Sequence, residues 1–111
     1  MSYTIVVLPQ AEEDADRIYR WIAERSLAGA GRWYEQFLAT LHRLASDAQS
    51  CPLAPEDEHV IPEIRQILFK TKKGLRYRVL FSIAATTVRV LHVRGPGQEL
   101  LGPDQLRLPD H

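Results

Sequence analysis

Residues 64–94 read IRQILFKTKKGLRYRVLFSIAATTVRVLHVR, and their alternating pattern decides the fold. Three segments, 64–70, 75–83 and 87–94, alternate apolar with polar residues and are rich in β-branched and aromatic side chains. Each is therefore predicted to be a β-strand. The connections between them, TKKG at 71–74 and a turn near Ala84 and Ala85, are short. Short connections join antiparallel neighbours, so this stretch predicts a three-stranded meander.

The middle strand of the meander has one apolar face and one face that carries arginines. A period of two places Leu75, Tyr77, Val79, Phe81 and Ile83 on the face that we expect to lie against helices. The opposite face then carries Arg76 and Arg78. We expect that second face to be the more open of the two.

The last strand carries apolar residues on both faces. Alternation predicts one side with Val88, Val90, His92 and Arg94, and another with Arg89, Leu91 and Val93. A strand of this kind is typical of the centre of a sheet. We expect its second face to be partly covered, by the tail ELLGPDQLRLPDH (99–111) or by another protein.

The sequence before residue 64 predicts one strand and two helices. SYTIVVLP (2–9) is a predicted strand that ends at Pro9, and QAEEDADRIYRWIAERS (10–26) has apolar residues at helical spacing and acids in its first turns. The glycines of LAGAG (27–31) predict a break between helices, and an apolar stripe from Trp33 to Ala48 predicts a second helix packed antiparallel to the first.

The segment CPLAPEDEHVIPE (51–63) has three prolines and four acids, which predict an irregular surface connection. The whole pattern predicts a single α+β domain over residues 1–111. It consists of an N-terminal strand, an antiparallel helix hairpin and a C-terminal three-stranded antiparallel meander, all strands in one sheet with the helices on one face.

Charge is segregated along a chain whose formal net charge is zero. Residues 1–63 carry 11 acids and 5 bases, residues 64–94 carry 8 bases and no acid, and residues 95–111 carry 3 acids and 1 base. This asymmetry favours a polyanionic partner. A basic sheet lying against an acidic part of the same chain would give the same numbers.

Composition narrows the class of protein further. With 111 residues, 45% hydrophobic and 25% charged, the chain has the make-up of one globular domain. A single cysteine, Cys51, excludes an internal disulfide, and neither His42 nor His59 has metal-ligand spacing, so we expect no metal or other cofactor. No apolar run is long enough to span a membrane, and we expect a cytoplasmic protein without a membrane partner.

Three motifs resemble a known family. LPQAEEDADRIYRWIAE (8–24), IRQILFKTKKGLRYRVLF (64–81) and TVRVLHVR (87–94), in this order, resemble the RelE/ParE superfamily of toxins from bacterial type II toxin-antitoxin systems, often called plasmid stabilisation proteins. The resemblance implies the fold predicted above and a cognate antitoxin whose extended segment wraps the helices and sheet. It also implies growth inhibition by one of two activities, mRNA cleavage on the ribosome or poisoning of DNA gyrase.

The resemblance assigns candidate site residues as well. RNA cleavage by attack of a 2′-hydroxyl needs a proton acceptor and cations that stabilise charge on the phosphate. The catalytic candidates are Lys72 and Arg78, which would contact the phosphate, and Arg94 as an additional positive charge. A lysine from the group Lys70, Lys72 and Lys73 would accept the proton. The candidates for nucleic-acid binding are Lys70, Lys73, Arg76 and Arg89.

Two departures from the family pattern count against RNA cleavage. Gln98 stands where relatives carry an arginine, and no tyrosine follows Tyr77, although RNA-cleaving members have one near the C terminus. An mRNA interferase, a gyrase inhibitor and a non-toxic chain that only binds its antitoxin or a DNA complex all stay open. So do two structural alternatives, in which Arg78 pairs with an acid of the helices or the connection, and the lysines form a solvated turn.

Overall fold

Strand, helix, helix and three strands follow one another along the described part of the chain. The computed structural model describes residues 2–56, 63–71, 74–98 and 101. Its elements are β1 (Thr4–Val7), α1 (Pro9–Ala23), α2 (Leu27–Asp47), a short 3-10 helix (Ala48–Ser50), β2 (Arg65–Lys70), β3 (Arg76–Ala84) and β4 (Thr87–Arg94). The predicted α+β class and element order are confirmed. Neither of the two described α-helices is long and apolar enough to cross a membrane.

The strands form one mixed sheet in the order β1-β4-β3-β2. β2, β3 and β4 pair antiparallel as the predicted meander, whereas β1 lies parallel to β4. A parallel neighbour requires a long connection, and the helix hairpin, β2 and β3 all lie between β1 and β4 in the chain. β4 is therefore central, as predicted, and β2 forms one edge of the sheet.

The break between the helices lies earlier than the glycines indicate. α1 ends at Ala23, and Ser26 caps α2, with its Oγ accepting a hydrogen bond from the Gly29 N–H at 2.9 Å. Gly29 and Gly31 thus lie inside α2, and the predicted break over 27–31 is wrong. The serine cap and the packing of the later turns offset the low helix propensity of glycine.

The helices pack their apolar stripes on one face of the sheet and form the main core. Trp33 and Phe37 of α2 stack with ring centroids 5.5 Å apart, and Trp33 lies 5.9 Å from Phe69 and 5.6 Å from Tyr77. The α2 stripe is therefore core. The prediction that Leu75 packs under the helices is wrong, because Leu75 precedes β3 and is 43% exposed.

β4 departs from strict alternation at Leu91. Phe81 of β3 lies opposite Val90, but the preceding Leu80 lies opposite His92. Leu91 is therefore an extra residue, a β-bulge, and it packs on the side away from the helices. Nothing in the local sequence marks this position as a bulge.

The bulge exchanges the faces of the last residues of β4. Val93 joins the core under the helices, whereas Arg94 lies opposite Arg78 on the other face of the sheet. The predicted placement of His92 and Arg94 on the side of Val88 is therefore wrong. As a result, two predicted catalytic arginines become direct cross-strand neighbours.

The face of the sheet away from the helices, which we call the second face, is covered by the chain itself. A smaller buried cluster lies there and consists of Ala54, Ile64, Leu80, Leu91 and Leu101. Leu101 is 2% exposed, so the expectation that the tail helps to cover this face is confirmed at that residue. The rest of the tail, 99–100 and 102–111, lies outside the described residues.

The predicted surface connection is only partly correct for residues 51–56, which are irregular as predicted and expose Pro52, Leu53 and Pro55, but bury their other three side chains. Cys51 is 8% exposed, Ala54 4% and Glu56 0%. The segment also bonds to the start of β2, because the Gln66 N–H donates to the Pro52 carbonyl at 3.0 Å. Prolines fit this path because an edge segment needs few N–H donors. Residues 57–62 lie outside the described part of the chain.

The turn between β3 and β4 holds Ala85 in the left-handed backbone region, with φ of 54°. A residue with a Cβ is disfavoured there by about 1 kcal/mol relative to glycine. We therefore expect Ala85→Gly to raise the free energy of unfolding by ~0.5–1 kcal/mol, measured by urea denaturation. Ala84→Gly, one residue earlier in β3, is the control and should lower it by a similar amount. Equal effects of the two variants would contradict the role of the turn.

Candidate functional site

Arg78 is held in a bidentate ion pair with Glu56. Its Nη1 donates to Glu56 Oε1 at 2.9 Å and to Gln66 Oε1 at 3.0 Å, and its Nη2 donates to Glu56 Oε2 at 2.8 Å. Paired, charge-assisted hydrogen bonds of this kind are the strongest that side chains make. The side chain of Arg78 is 17% exposed and that of Glu56 is 0% exposed. The alternative in which Arg78 pairs with an acid of the connection is thus confirmed, and a catalytic role of Arg78 stays a prediction.

Glu56 ties three separate segments together. Besides Arg78 of β3, its Oε2 accepts a hydrogen bond from the backbone N–H of Leu101 at 3.2 Å. Burial raises the pKa of the Glu56 carboxyl, but the hydrogen bonds from Arg78 and from Leu101 outweigh burial and hold that pKa below its ordinary value. Glu56 is therefore a carboxylate at neutral pH, and it fastens the connection and the tail to the second face.

Arg94 lies directly opposite Arg78, and like charges at such positions repel. Burial is the largest influence on Arg94 and lowers its pKa, and the positive charge of Arg78 lowers it further. The negative charge of Asp14 raises this pKa, but the net shift is below the ordinary value. Glu56 also raises it. The pair of arginines is therefore tolerated because two buried carboxylates lie close enough to compensate it.

Asp14 is one of these carboxylates, and it caps the free edge of β4. Because β1 pairs only with the first half of β4, α1 lies beside the second half. Asp14 Oδ2 accepts the Val93 N–H at 3.0 Å and lies 3.4 Å from His92 Nδ1, while Oδ1 accepts from Gln10 Nε2 at 2.9 Å. The carboxylate thus replaces a neighbouring strand for the backbone of β4.

Glu56, Gln66 and Asp14 belong to the surroundings of the candidate site, and the sequence interpretation missed all three. Asp14 carried a visible signal, since it falls at helical spacing with Ala11 and Ile18 on the buried stripe of α1. The sequence interpretation counted Asp14 only among the acids that interact favourably with the helix dipole, and it overlooked that Asp14 lies on the buried side. Glu56 had no such signal, because it is one of several acids in a proline-rich segment.

The other predicted cations fall into separate places. Lys70 and Arg76 are exposed cross-strand neighbours at the far end of β2 and β3. Arg89 lies opposite Ser82, toward the other end of β4, and has its own contacts. Lys72 and Lys73 lie outside the described residues. The structure therefore joins Arg78 with Arg94 and Lys70 with Arg76, and it leaves Arg89 apart from both pairs.

A cleft of about 490 Å³ opens between α1 and the ends of β3 and β4. Its walls include the exposed side chains of Trp21 and Leu75 and the buried ring of Tyr77. Burial raises the pKa of Tyr77, so its hydroxyl is protonated at neutral pH. Gln98 also lines the cleft, and its side-chain oxygen accepts the Gly95 N–H. The apolar walls suit a side chain of a protein partner better than a phosphate.

The fold defines the class of protein. A β1-β4-β3-β2 mixed sheet with an antiparallel helix hairpin on one face is the α+β architecture of the RelE/ParE toxins. The family model of the ParE toxin of type II toxin-antitoxin systems, parDE, matches residues 5–99. The chain therefore belongs to the ParE toxin family and is a toxin component whose partner is a cognate antitoxin. No curated protein matches its sequence.

Proposed function

We propose that the chain, when free of its antitoxin, inhibits growth in the cytoplasm as a non-enzymatic poison of DNA gyrase. The observation that carries this proposal is the ion pair of Arg78. Both terminal nitrogens of its guanidinium donate to Glu56 or Gln66, so the predicted phosphate ligand already binds a carboxylate of its own chain. An RNA phosphate would have to displace a fully buried acid from this position.

Two further residues, Gln98 and Tyr77, also favour binding over RNA cleavage. Gln98, at the position of the family's additional arginine, accepts the Gly95 N–H within its own turn. Tyr77 packs under the helices, stacked on Phe69 with centroids 5.4 Å apart, so it does not face the second side of the sheet. Among the described residues, Tyr77 is therefore not placed to donate a proton to a leaving oxygen at Arg78.

The test is a gyrase assay with the purified chain. We expect that gyrase, supercoiled plasmid and ATP accumulate gyrase-linked double-strand breaks as the chain is added, visible as linear DNA after detergent and protease. Addition of the antitoxin should suppress them. In cells, induction should activate the DNA-damage response and leave transcripts intact. Normal supercoiling at saturating protein would overturn the proposal, as would truncated mRNAs.

A paired variant separates the role of Arg78 from its effect on folding. Glu56→Gln with Arg78→Met removes both charges together and leaves no unpaired ion in the second face. We expect this double variant to poison gyrase and bind antitoxin like the wild type, provided that circular dichroism shows a folded chain. A folded double variant that has lost toxicity would instead indicate chemistry that depends on Arg78. A wild-type chain that binds antitoxin but harms neither gyrase nor mRNA would identify a non-toxic partner protein.

A further inference from the structure

The outer edge of β1 is open at two residues. Among the described strands β1 pairs with β4 alone, and the N–H groups of Thr4 and Leu8 donate to carbonyls on that side at 2.9 and 3.0 Å. Backbone groups alternate in direction along a strand, so the N–H and C=O of Ile5 and Val7 point away from the sheet. Within the described ranges, no backbone group bonds to these two residues on the outer side.

The open stretch is bounded at both ends. Before it, the Tyr3 N–H also points outward, but it donates to the Ala45 carbonyl of α2 at 2.8 Å. After it, Pro9 begins α1 and has no N–H to donate. A strand that adds to this edge therefore finds free backbone groups at residues 5 and 7 and has to match this short length.

The edge of β1 lacks the charge and the proline that usually protect a sheet edge from other strands. Residues 2–8, SYTIVVL, contain neither, and all four residues of Thr4–Val7 are β-branched, which favours strand pairing. Val6 on this edge is 40% exposed. The opposite edge of the sheet differs, because residues 52–53 lie along the start of β2 and the exposed Lys70 ends it. An identical edge would therefore meet no repulsion at β1.

We infer that two copies of this chain pair through β1, antiparallel and about a two-fold axis at Val6. In this register Ile5 of each copy lies opposite Val7 of the other, so the outward backbone groups of both copies form hydrogen bonds. The two Val6 residues become a non-hydrogen-bonded cross-strand pair, in which side chains lie closest, and each covers the other. Two four-stranded sheets thereby join into one.

A second copy is the occupant that fits because the edge matches itself in this register. Tyr3 comes opposite Pro9, so the ladder ends where one N–H is already bonded and the other is absent. A shift by two residues would set Val7 against Tyr3, or Ile5 against Pro9, and would leave outward groups unpaired. The paired area is far below the ~800 Å² per partner of a standard stable complex, so the dimer is weak and reversible.

The first test measures the mass of the purified, antitoxin-free chain by sedimentation equilibrium. We expect a monomer–dimer equilibrium with a dissociation constant of about 10–500 µM. Val6→Lys sets two like charges opposite each other at the two-fold axis and should raise this constant at least about tenfold, with circular dichroism to show a folded chain. The control is Leu38→Lys, which adds the same charge at a residue of α2 with similar exposure, 45% against 40%.

The control should change the dissociation constant by less than about twofold, because its charge lies on the helix surface away from β1. Equal losses of dimer in the two variants would overturn the inference. A wild-type chain that stays monomeric up to about 1 mM would overturn it as well.

The second test locates the interface in the wild-type chain by amide hydrogen exchange, followed by NMR at low and high protein concentration. The amides of Ile5 and Val7 should exchange about threefold more slowly, or slower still, at high concentration. Those of Thr4 and Leu8, which are bonded within the chain, should change little. Protection of Ile5 and Val7 that appears only with added antitoxin would assign the edge to that partner and overturn the inference. Neither test involves gyrase, so both are independent of the proposed activity.

Discussion

Glu56→Ala is expected to lower the free energy of unfolding by ~3–5 kcal/mol, measured by urea denaturation at neutral pH. The variant leaves Arg78 only 17% exposed without its counter-ion, and it also removes the acceptor of the buried Leu101 N–H. A domain of this size is stable by only about 5–15 kcal/mol, so a large fraction of its stability depends on this one carboxylate. We also expect faster amide exchange at Leu101.

Glu63→Ala is the matched control for this variant. Glu63 pairs with Arg65 at 3.3 Å, but its side chain is 64% exposed. Exposed pairs contribute little, so this variant should change stability by no more than about 0.5 kcal/mol. The double variant Glu56→Gln with Arg78→Met should lower the free energy of unfolding by less than Glu56→Ala does, because it leaves neither charge of the pair without its partner. Similar losses from Glu56→Ala and Glu63→Ala would mean that the second face does not bury this pair in solution.

The parts of the fold that depend on local pattern were predictable from the sequence. Period-two alternation located β2, β3 and β4, and helical spacing located the core stripe of α2, because each signal lies within one element. The start of α2 was missed because Gly29 and Gly31 indicated a break. The Ser26 cap and tertiary packing stabilise the helix in spite of these two glycines. The bulge at Leu91 was missed because register is set by the partner strand, and β4 contains no glycine or proline to mark it.

The candidate site was predictable only in part, for the same reason. Arg78 stood out in its strand, but its partner lies 22 residues away in a segment where four acids compete. No single-residue pattern selects Glu56 from among them. The face on which Arg94 lies was predicted wrongly because it depends on the bulge. Asp14 was the exception, since its helical spacing already placed an acid on a buried stripe.

The basic residues of the sheet form two pairs whose surroundings differ. At Arg78 and Arg94 the structure supports the internal explanation, a basic sheet compensated by acids from the connection and from α1. At Lys70 and Arg76 the described residues supply no carboxylate, and the explanation by a polyanionic partner stays a prediction there.

Asp14→Ala is expected to lower the free energy of unfolding by ~2–4 kcal/mol. The substitution leaves the buried Val93 N–H without an acceptor and removes the negative charge near Arg94. Asp14→Asn keeps an acceptor oxygen and should cost less. The control is Asp16→Ala in the same helix, because the Asp16–Arg20 pair is exposed at both residues and should contribute no more than about 0.5 kcal/mol.

The pH dependence of stability provides an independent test of Asp14. Burial raises its pKa, but hydrogen bonds from His92, Val93 and Gln10 outweigh burial, so the folded-state pKa lies below that of the unfolded chain. The unfolded state therefore binds more protons in acid, and the stabilisation is fully present above the unfolded pKa and is lost as pH falls through it toward the lowered folded value. Denaturation midpoints of the wild type should fall more steeply below about pH 5 than those of Asp14→Asn, which retains only Glu56 of the two described carboxyl groups with a lowered pKa. Asp16→Asn should follow the wild type. Parallel curves for the wild type and Asp14→Asn would show that the carboxylate at the edge of β4 is not held ionised by its neighbours.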